Sequence, residues 1–214
     1  MRPDLNLVAA ALSTRATKPT QDDLGKLNRS LAYLNSTQCL KLVIDSSPFD
    51  RVTAYIDASW GIHDDNSSHT GMTLTLGNTT VMFKSRKQKC ITRSSTTAEL
   101  VGLSDMMQHA LSLHEFLEGQ GVKCVSPVLL QDNESVLKIV ASNGKSLKSR
   151  HLRIRQADVK HLVMCNDALK HVRTKQMIAD IMKKPLECEL FLDSRNKVLG
   201  GGALDPGFQT NGNS

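Results

Sequence analysis

Apolar and polar residues alternate along three short runs in the first half of the chain, at residues 52–57, 71–76 and 80–84. Alternation with a period of two is typical of strands that have one buried face. In the first run Val52, Ala54 and Ile56 share a face, and the run ends in Asp57. The Leu-Gly-Asn segment at 76–78 predicts a tight turn between the other two runs. The pattern therefore predicts one strand followed by a hairpin.

Elsewhere the apolar positions recur with the spacing of a helix. Leu24, Leu27, Leu31 and Leu34 form such a stripe, which is preceded by acidic residues that favour a helix N-terminus. On this basis we predict helices at residues 3–14, 20–36, 96–118, 134–142, 153–165 and 175–183. Further strands are predicted at 127–132 and 168–172, with 39–44 as another candidate strand.

The order of these elements predicts a mixed α/β fold, in which helices pack on a mixed sheet. With 214 residues, the chain is long enough for one good core. The net charge of +6 favours a polyanionic partner. The five cysteines are scattered and odd in number, which favours a reducing, intracellular setting. No apolar run is long enough to span a membrane, so no membrane partner is expected.

Four carboxylates occupy positions where polar residues are costly. Asp57 and Asp132 each end a predicted strand, and parallel neighbouring strands would bring both to one edge of the sheet. Glu99 and Asp180 lie on the apolar faces of their predicted helices. Buried carboxylates need compensating positive charge, which a pair of divalent metal ions would supply.

Each acid also has a simpler interpretation. Glu99 could form a capping box with Thr96, because T-x-x-E is the pattern of that motif. Asp132 could cap the helix that follows it. Asp180 could pair with Lys183 or Lys184, and Asp57 could open a turn.

Six segments of the chain carry a resemblance to a known family. They read YIDASWG, DDNSSHTG, FKSRKQ, RSSTTAEL, LQDNESVLKIV and IADIMKKPL. Together they resemble the ribonuclease H domain of copia-type LTR retrotransposon polyproteins, and the acids follow the Asp–Glu–Asp–Asp order of that domain. Two positions depart from the family pattern, because Thr97 stands where a Glu is usual and Arg153 where an Asp is usual.

The resemblance implies a domain organisation. Residues 1–45 resemble the C-terminal, helical end of a reverse transcriptase, and 46–190 would form a ribonuclease H-like domain with a five-stranded mixed sheet flanked by helices. Residues 191–214 are predicted to be a disordered tail. The paired-aspartate motif of the polymerase is absent, so the resemblance implies a fragment that cannot polymerise by itself.

The resemblance also implies an activity. The domain would cut the RNA strand of RNA–DNA hybrids by two-metal hydrolysis, with two Mg²⁺ ions that Mn²⁺ could replace. Asp57, Glu99, Asp132 and Asp180 would be the catalytic metal ligands, and His151 could assist product release or protonate the leaving group. The alternative is an inactive module that binds nucleic acid or supports a polymerase.

Two basic stretches are candidates for contacts with the substrate, at residues 83–93 and 145–155. The residues expected to bind nucleic acid are Lys84, Arg86, Lys87, Lys148, Arg150 and Arg153. Phosphate contacts of this kind position a substrate without reading its sequence. The expected partners are an RNA–DNA hybrid and the polymerase part of the same polyprotein, in the cytoplasm or within retroelement particles. Trp60 is expected to pack in the core.

Overall fold

The computed structural model describes residues 2–45, 50–142, 147, 149–166 and 168–200, without the side chains of 164–166. Within these ranges the sheet has five strands: β1 (Arg51–Ser59), β2 (His69–Leu76), β3 (Thr79–Lys87), β4 (Val125–Gln131) and β5 (Leu169–His171). They lie side by side in the order β3-β2-β1-β4-β5. β1 is antiparallel to β2 and parallel to β4, so the prediction of a mixed sheet is confirmed.

Seven α-helices lie in the described part of the chain: α1 (Asn6–Ser13), α2 (Gln21–Ser36), α3 (Ser95–Gly119), α4 (Glu134–Ala141), α5 (Arg150–Asn166), α6 (Asp180–Lys183) and α7 (Cys188–Val198). Short 3₁₀ helices cover Pro3–Leu5 and Thr174–Gln176. None of the described helices is long and apolar enough to cross a membrane.

The two faces of the sheet bury separate apolar clusters. Ala54 and Ile56 of β1 pack with Leu103 of α3 in one cluster. Tyr55 packs with Met182 of α6 in the other cluster. Successive residues of a strand point to opposite faces, and this alternation explains why neighbours in β1 belong to different clusters.

A two-residue turn joins β2 to β3, as the sequence predicts. Leu76 and Thr79 are paired across the hairpin, and Gly77 between them has a φ of 57°. A glycine adopts this left-handed conformation without a steric penalty from a Cβ atom.

Three predicted elements differ from the structure. β1 continues to Ser59, so Asp57 lies inside the strand and not at its end. The predicted helix 175–183 is interrupted, because residues 177–179 leave the helical path and are buried in the core. The candidate strand at 39–44 does not form a strand; instead Val43 N donates a hydrogen bond of 2.8 Å to the carbonyl of Leu199.

The prediction of a disordered tail from residue 191 is wrong for its first part. α7 covers residues 188–198, and it is held by burial of Val198 and by the edge-on contact of Phe191 with the ring of Tyr33 at 5.9 Å between centroids. The remaining tail, 201–214, lies outside the described residues. Core packing of α7 therefore overrides the polar composition of this segment.

The prediction that Trp60 packs in the core is also wrong. Its side chain is 52% exposed, and its Nε1 donates a hydrogen bond of 2.9 Å to the carbonyl of Thr92. An indole N–H needs a hydrogen-bond partner when it leaves water, and this position at the end of β1 supplies one without full burial.

The N-terminal segment contacts both α7 and the sheet. Asp4 is buried, where it pairs with Arg2 and accepts a hydrogen bond of 2.8 Å from the hydroxyl of Tyr33. α1 packs against β3 and α6. The proposed boundary between residues 45 and 46 stays a prediction, because residues 46–49 lie outside the described ranges.

Candidate metal centre

Asp57 lies at the centre of the candidate site and is completely buried, at 0% exposure. It follows Tyr55 by two residues, so its side chain lies on the sheet face that α6 covers. Its Oδ1 has no hydrogen-bond partner in the described part of the chain, and its Oδ2 contacts the ammonium of Lys183. Burial raises the pKa of Asp57, and the charge of Lys183 opposes that rise.

Glu99 reaches the site from the first turns of α3. The start of this helix is fixed by a capping box, in which Ser94 Oγ accepts a hydrogen bond from Thr97 N and Thr97 Oγ1 accepts one from Ser94 N. The alternative capping box between Thr96 and Glu99 is therefore wrong.

The carboxylate of Glu99 ties the helix to the end of the sheet. Its Oε2 accepts hydrogen bonds from Ala58 N at 2.9 Å and from Gln131 Nε2 at 2.7 Å. Burial and the nearby charge of Asp57 raise the pKa of Glu99 to about 9.

Asp132 completes a cluster of three acids at the end of β4. The ligand oxygens of Asp57, Glu99 and Asp132 all lie within 4.8 Å of one another. Asp132 does not cap α4, because Asn133 is the N-cap residue and its side chain accepts a hydrogen bond from Ser135 N. The structure thus brings together three of the four acids that the sequence singles out.

The fourth acid, Asp180, is linked to this cluster through lysine. Its Oδ1 lies 3.0 Å from Lys183 Nζ and 3.8 Å from Lys184 Nζ, so the alternative of pairing with these lysines is confirmed. Lys183 also contacts Asp57 and therefore bridges the two acids. Although burial disfavours the charged ammonium, the charges of Asp57 and Asp180 raise the pKa of Lys183 above its ordinary value.

A glycine in β2 allows α6 to lie directly on the sheet beside the acids. Gly71 is paired with Asp57 in the β1–β2 register. A Cβ atom at Gly71 would lie 2.7 Å from the carbonyl oxygen of Ala179 and 2.8 Å from Met182 Cβ, so no larger residue fits without moving α6. This close approach delivers Asp180 and Lys183 to the site.

The basic residues of the first stretch lie on β3 and just beyond it. Arg86 is exposed, and Lys87 pairs with Asp65 at 2.7 Å. Lys84 and Arg86 together lower the pKa of His109 on α3, although burial is the larger cause.

The second basic stretch reaches the first through a residue that was not among the six candidates. A cavity of about 300 Å³ is lined by Arg86, Lys87 and Lys89 together with Arg155 of α5. Arg155 is held there by Asp105 and lies 3.3 Å from the hydroxyl of Ser104. Arg150 and Arg153 are exposed on the first turns of α5, and Lys148 lies outside the described residues.

His151 is exposed near the start of α5, and its Nδ1 lies 2.6 Å from the hydroxyl of Ser149. Its role in the reaction stays a prediction. A different histidine approaches the acids, because His171 Nε2 lies 3.2 Å from the backbone oxygen of Asp132.

Sequence reasoning missed the contributions of Lys183, Gln131 and Gly71. Lys183 was considered only as a partner of Asp180, since the i, i+3 spacing shows that pair and not the distant Asp57. Gln131 directly precedes Asp132 at the end of an apolar run. It is completely buried and donates a hydrogen bond to Glu99. A glycine inside a strand is a known signal of close backbone approach, and this signal could have identified Gly71.

No family model matches the chain, but comparisons with known proteins find relatives that are similar to most of it. The chain is 29% identical over 201 residues to a retrovirus-related Pol polyprotein from transposon RE1 of Arabidopsis thaliana. It is 27% identical over 159 residues to a transposon Ty1-DR5 Gag-Pol polyprotein of Saccharomyces cerevisiae. These alignments cover 92% and 71% of the chain. Copia/Ty1-type Pol polyproteins are therefore similar to this chain over most of its length.

The similarity concerns one part of much longer proteins. The chain spans 14% of the RE1 polyprotein and 9% of the Ty1 polyprotein. A shorter relative is the secreted RxLR effector protein 161 of Plasmopara viticola, with 34% identity over 113 residues that cover 52% of this chain and 80% of that protein. Among solved structures, RNase H1 of Halobacterium salinarum aligns with 67% of this chain and 98% of its own, at 18% identity and a TM-score of 0.46.

Proposed function

We propose that this chain, which is similar to copia/Ty1-type Pol polyproteins, is a metal-dependent ribonuclease H that cuts the RNA strand of RNA–DNA hybrids. The observation that carries the proposal is the convergence of Asp57, Glu99 and Asp132, whose ligand oxygens lie within 4.8 Å of one another. The proposed partners are an RNA–DNA hybrid and the polymerase part of the same polyprotein.

The donor atoms of this cluster fit a divalent cation. All three residues offer carboxylate oxygens, which are the ligands that Mg²⁺ and Mn²⁺ prefer. Asp57 Oδ1 is buried without a hydrogen-bond partner among the described residues, and such an atom is costly unless a cation compensates it. Asp57, Glu99 and Asp132 would hold the ion, and when bound it supplies activation of water and stabilisation of the leaving oxygen.

The protein's own residues contribute position and charge. The hydrogen bonds from Ala58 N and Gln131 Nε2 hold the Glu99 carboxylate against the end of the sheet, so little reorganisation is needed during the reaction. Arg86 and the exposed arginines at the start of α5 would hold phosphates of the hybrid against the acidic site. These contacts are sequence-independent, because they go to the nucleic-acid backbone.

The experiment is cleavage of a hybrid with a labelled RNA strand in Mg²⁺ by the wild type, Asp57→Asn and Asp132→Asn. The substitutions keep the side-chain shape but remove a ligand charge. We expect cleavage to fall by at least about 100-fold, because even outer-shell partners of metal sites contribute 10–100-fold. Asp64→Asn is the matched control, since the Asp64 side chain is 89% exposed and pairs with Arg15 at 2.8 Å.

Duplex RNA and duplex DNA serve as substrate controls, and thermal unfolding of each variant tests the fold. Mg²⁺-dependent cleavage that persists in Asp57→Asn would remove this residue from the site. Wild-type protein that binds the hybrid without cutting it would contradict the proposal and support the alternative of an inactive nucleic-acid-binding module.

A further inference from the structure

Lys183 is a buried cation that lies among the acids of the site. The residue is 8% exposed, and its ammonium contacts Asp57 Oδ2 and lies 3.0 Å from Asp180 Oδ1. An ammonium is costly to remove from water unless carboxylates pair with it, and here two of them do. This lysine is therefore part of the site's charge balance.

The backbone around Lys183 is fixed by packing. Met182, its neighbour, is completely buried in the cluster that contains Tyr55. Residues 179 and 182 also lie so close to Gly71 of β2 that even a Cβ atom would not fit between them. The ammonium therefore reaches Asp57 from a rigid position, unlike a surface lysine that could swing into solvent.

Lysine contacts divide the four acids into two sets. Lys183 contacts the Oδ2 atom of Asp57 and the Oδ1 atom of Asp180, and Lys184 lies 3.8 Å from the same Asp180 oxygen. The Oδ1 atom of Asp57 stays available, together with the carboxylates of Glu99 and Asp132. The second set provides ligands for one divalent cation, whereas a second ion shared by Asp57 and Asp180 would be repelled by the ammonium of Lys183, which contacts both residues.

We infer that Lys183 takes the place of a second metal ion, so that the chain binds one divalent cation through Asp57, Glu99 and Asp132. The lysine supplies the positive charge on the Asp57–Asp180 side of the site. This inference deepens the proposed function, because it concerns how many ions the same site holds.

The test measures the number of Mn²⁺ ions that bind to the full chain without nucleic acid. Isothermal titration calorimetry and the electron paramagnetic resonance signal of free Mn²⁺ each give this number. We expect one bound ion in the wild type. We expect a second bound ion in Lys183→Met, because methionine has a similar length but leaves the Asp57–Asp180 oxygens without a cation.

Two further variants serve as controls. Lys184→Met should bind one ion like the wild type, because the side chain of Lys184 is 47% exposed and its ion pair within the described part of the chain is with Asp180, not Asp57. Lys183→Arg should also bind one ion, because it restores the charge. Circular dichroism checks that each variant is folded.

Two ions in the wild type, no ion in the wild type, or a single ion in folded Lys183→Met would each overturn the inference. Two ions or no ion in the wild type would overturn the inference even when Lys183→Met does not fold. Hybrid cleavage is measured separately: one bound ion without cleavage would uphold this inference and refute the proposed function, whereas two ions with cleavage would do the reverse.

Discussion

The helices α2 and α3 have similar sequence patterns but different environments. Both begin with a capping box and both carry an apolar stripe at helical spacing. Leu103 in the stripe of α3 is 0% exposed, whereas Leu27 in the stripe of α2 is 42% exposed. α3 covers one face of the sheet, and α2 packs chiefly on α1. The pattern thus predicts a helix and its apolar side, but it does not tell what covers that side.

The two helices should differ most in how much the free energy of unfolding falls when one leucine of each stripe is truncated. Leu103→Ala should lower the free energy of unfolding by about 2–5 kcal/mol, since it leaves a cavity between α3 and the sheet. Leu27→Ala should change it by no more than about 0.5 kcal/mol, because the side chain is already partly in water. Urea denaturation of both variants measures the two values. Equal losses would mean that a partner, such as a second copy of the chain, covers the stripe of α2 in solution.

The acids of the two helices should give opposite dependences on pH. The pKa of Glu99 on α3 is raised to about 9 from 4.5, so between these two pH values the folded state holds a proton that the unfolded state has lost. Stability from this group is therefore fully present below pH 4.5 and is lost as the pH rises to about 9. On α2, hydrogen bonds from Thr20 lower the pKa of Asp23. Its contribution is present above the unfolded pKa of 3.8 and is lost as the pH falls.

Urea denaturation in EDTA over a series of pH values separates these two effects. Glu99→Gln should flatten the loss of stability toward high pH, and Asp23→Asn should flatten the loss toward low pH. An unchanged alkaline slope in Glu99→Gln would show that other groups cause it.

The smallest difference in stability between the two helices is expected when one glycine of each is replaced by alanine. A Cβ atom at Gly25 of α2 would meet no atom within 4 Å, so Gly25→Ala should stabilise the protein by about 0.5–1 kcal/mol through helix propensity. At Gly102 of α3 a Cβ atom would lie 3.0 Å from Thr70 Cγ2. Overpacking costs about 1–3 kcal/mol, which exceeds the gain in propensity, so Gly102→Ala should destabilise.

Thermal unfolding of the two glycine variants gives the sign of each effect. Stabilisation by both substitutions would show that Thr70 can move aside, and that α3 is less tightly packed on the sheet than these distances indicate.

Much of the fold could be predicted because its signals are local. The period of the apolar residues located most helices and strands, and Gly77 marked the hairpin because a left-handed turn suits glycine. The acids could be recognised because a carboxylate inside an apolar pattern is costly wherever the chain folds. The unpredicted helix α7 and the interrupted helix before Asp180 show the limit of such signals. Both depend on packing against residues that are distant along the chain.

By itself, the sequence determined which residue types lie at the strand ends and helix faces, and in what order the four acids occur. Only the tertiary structure decided that Lys183 contacts Asp57, that Gln131 binds Glu99, and that the stripe of α2 stays exposed. Lys183 and Asp57 are far apart along the chain, and their contact depends on the close approach of α6 to Gly71. Periodicity reports the conformation of one segment, whereas burial and charge pairing depend on which segments meet.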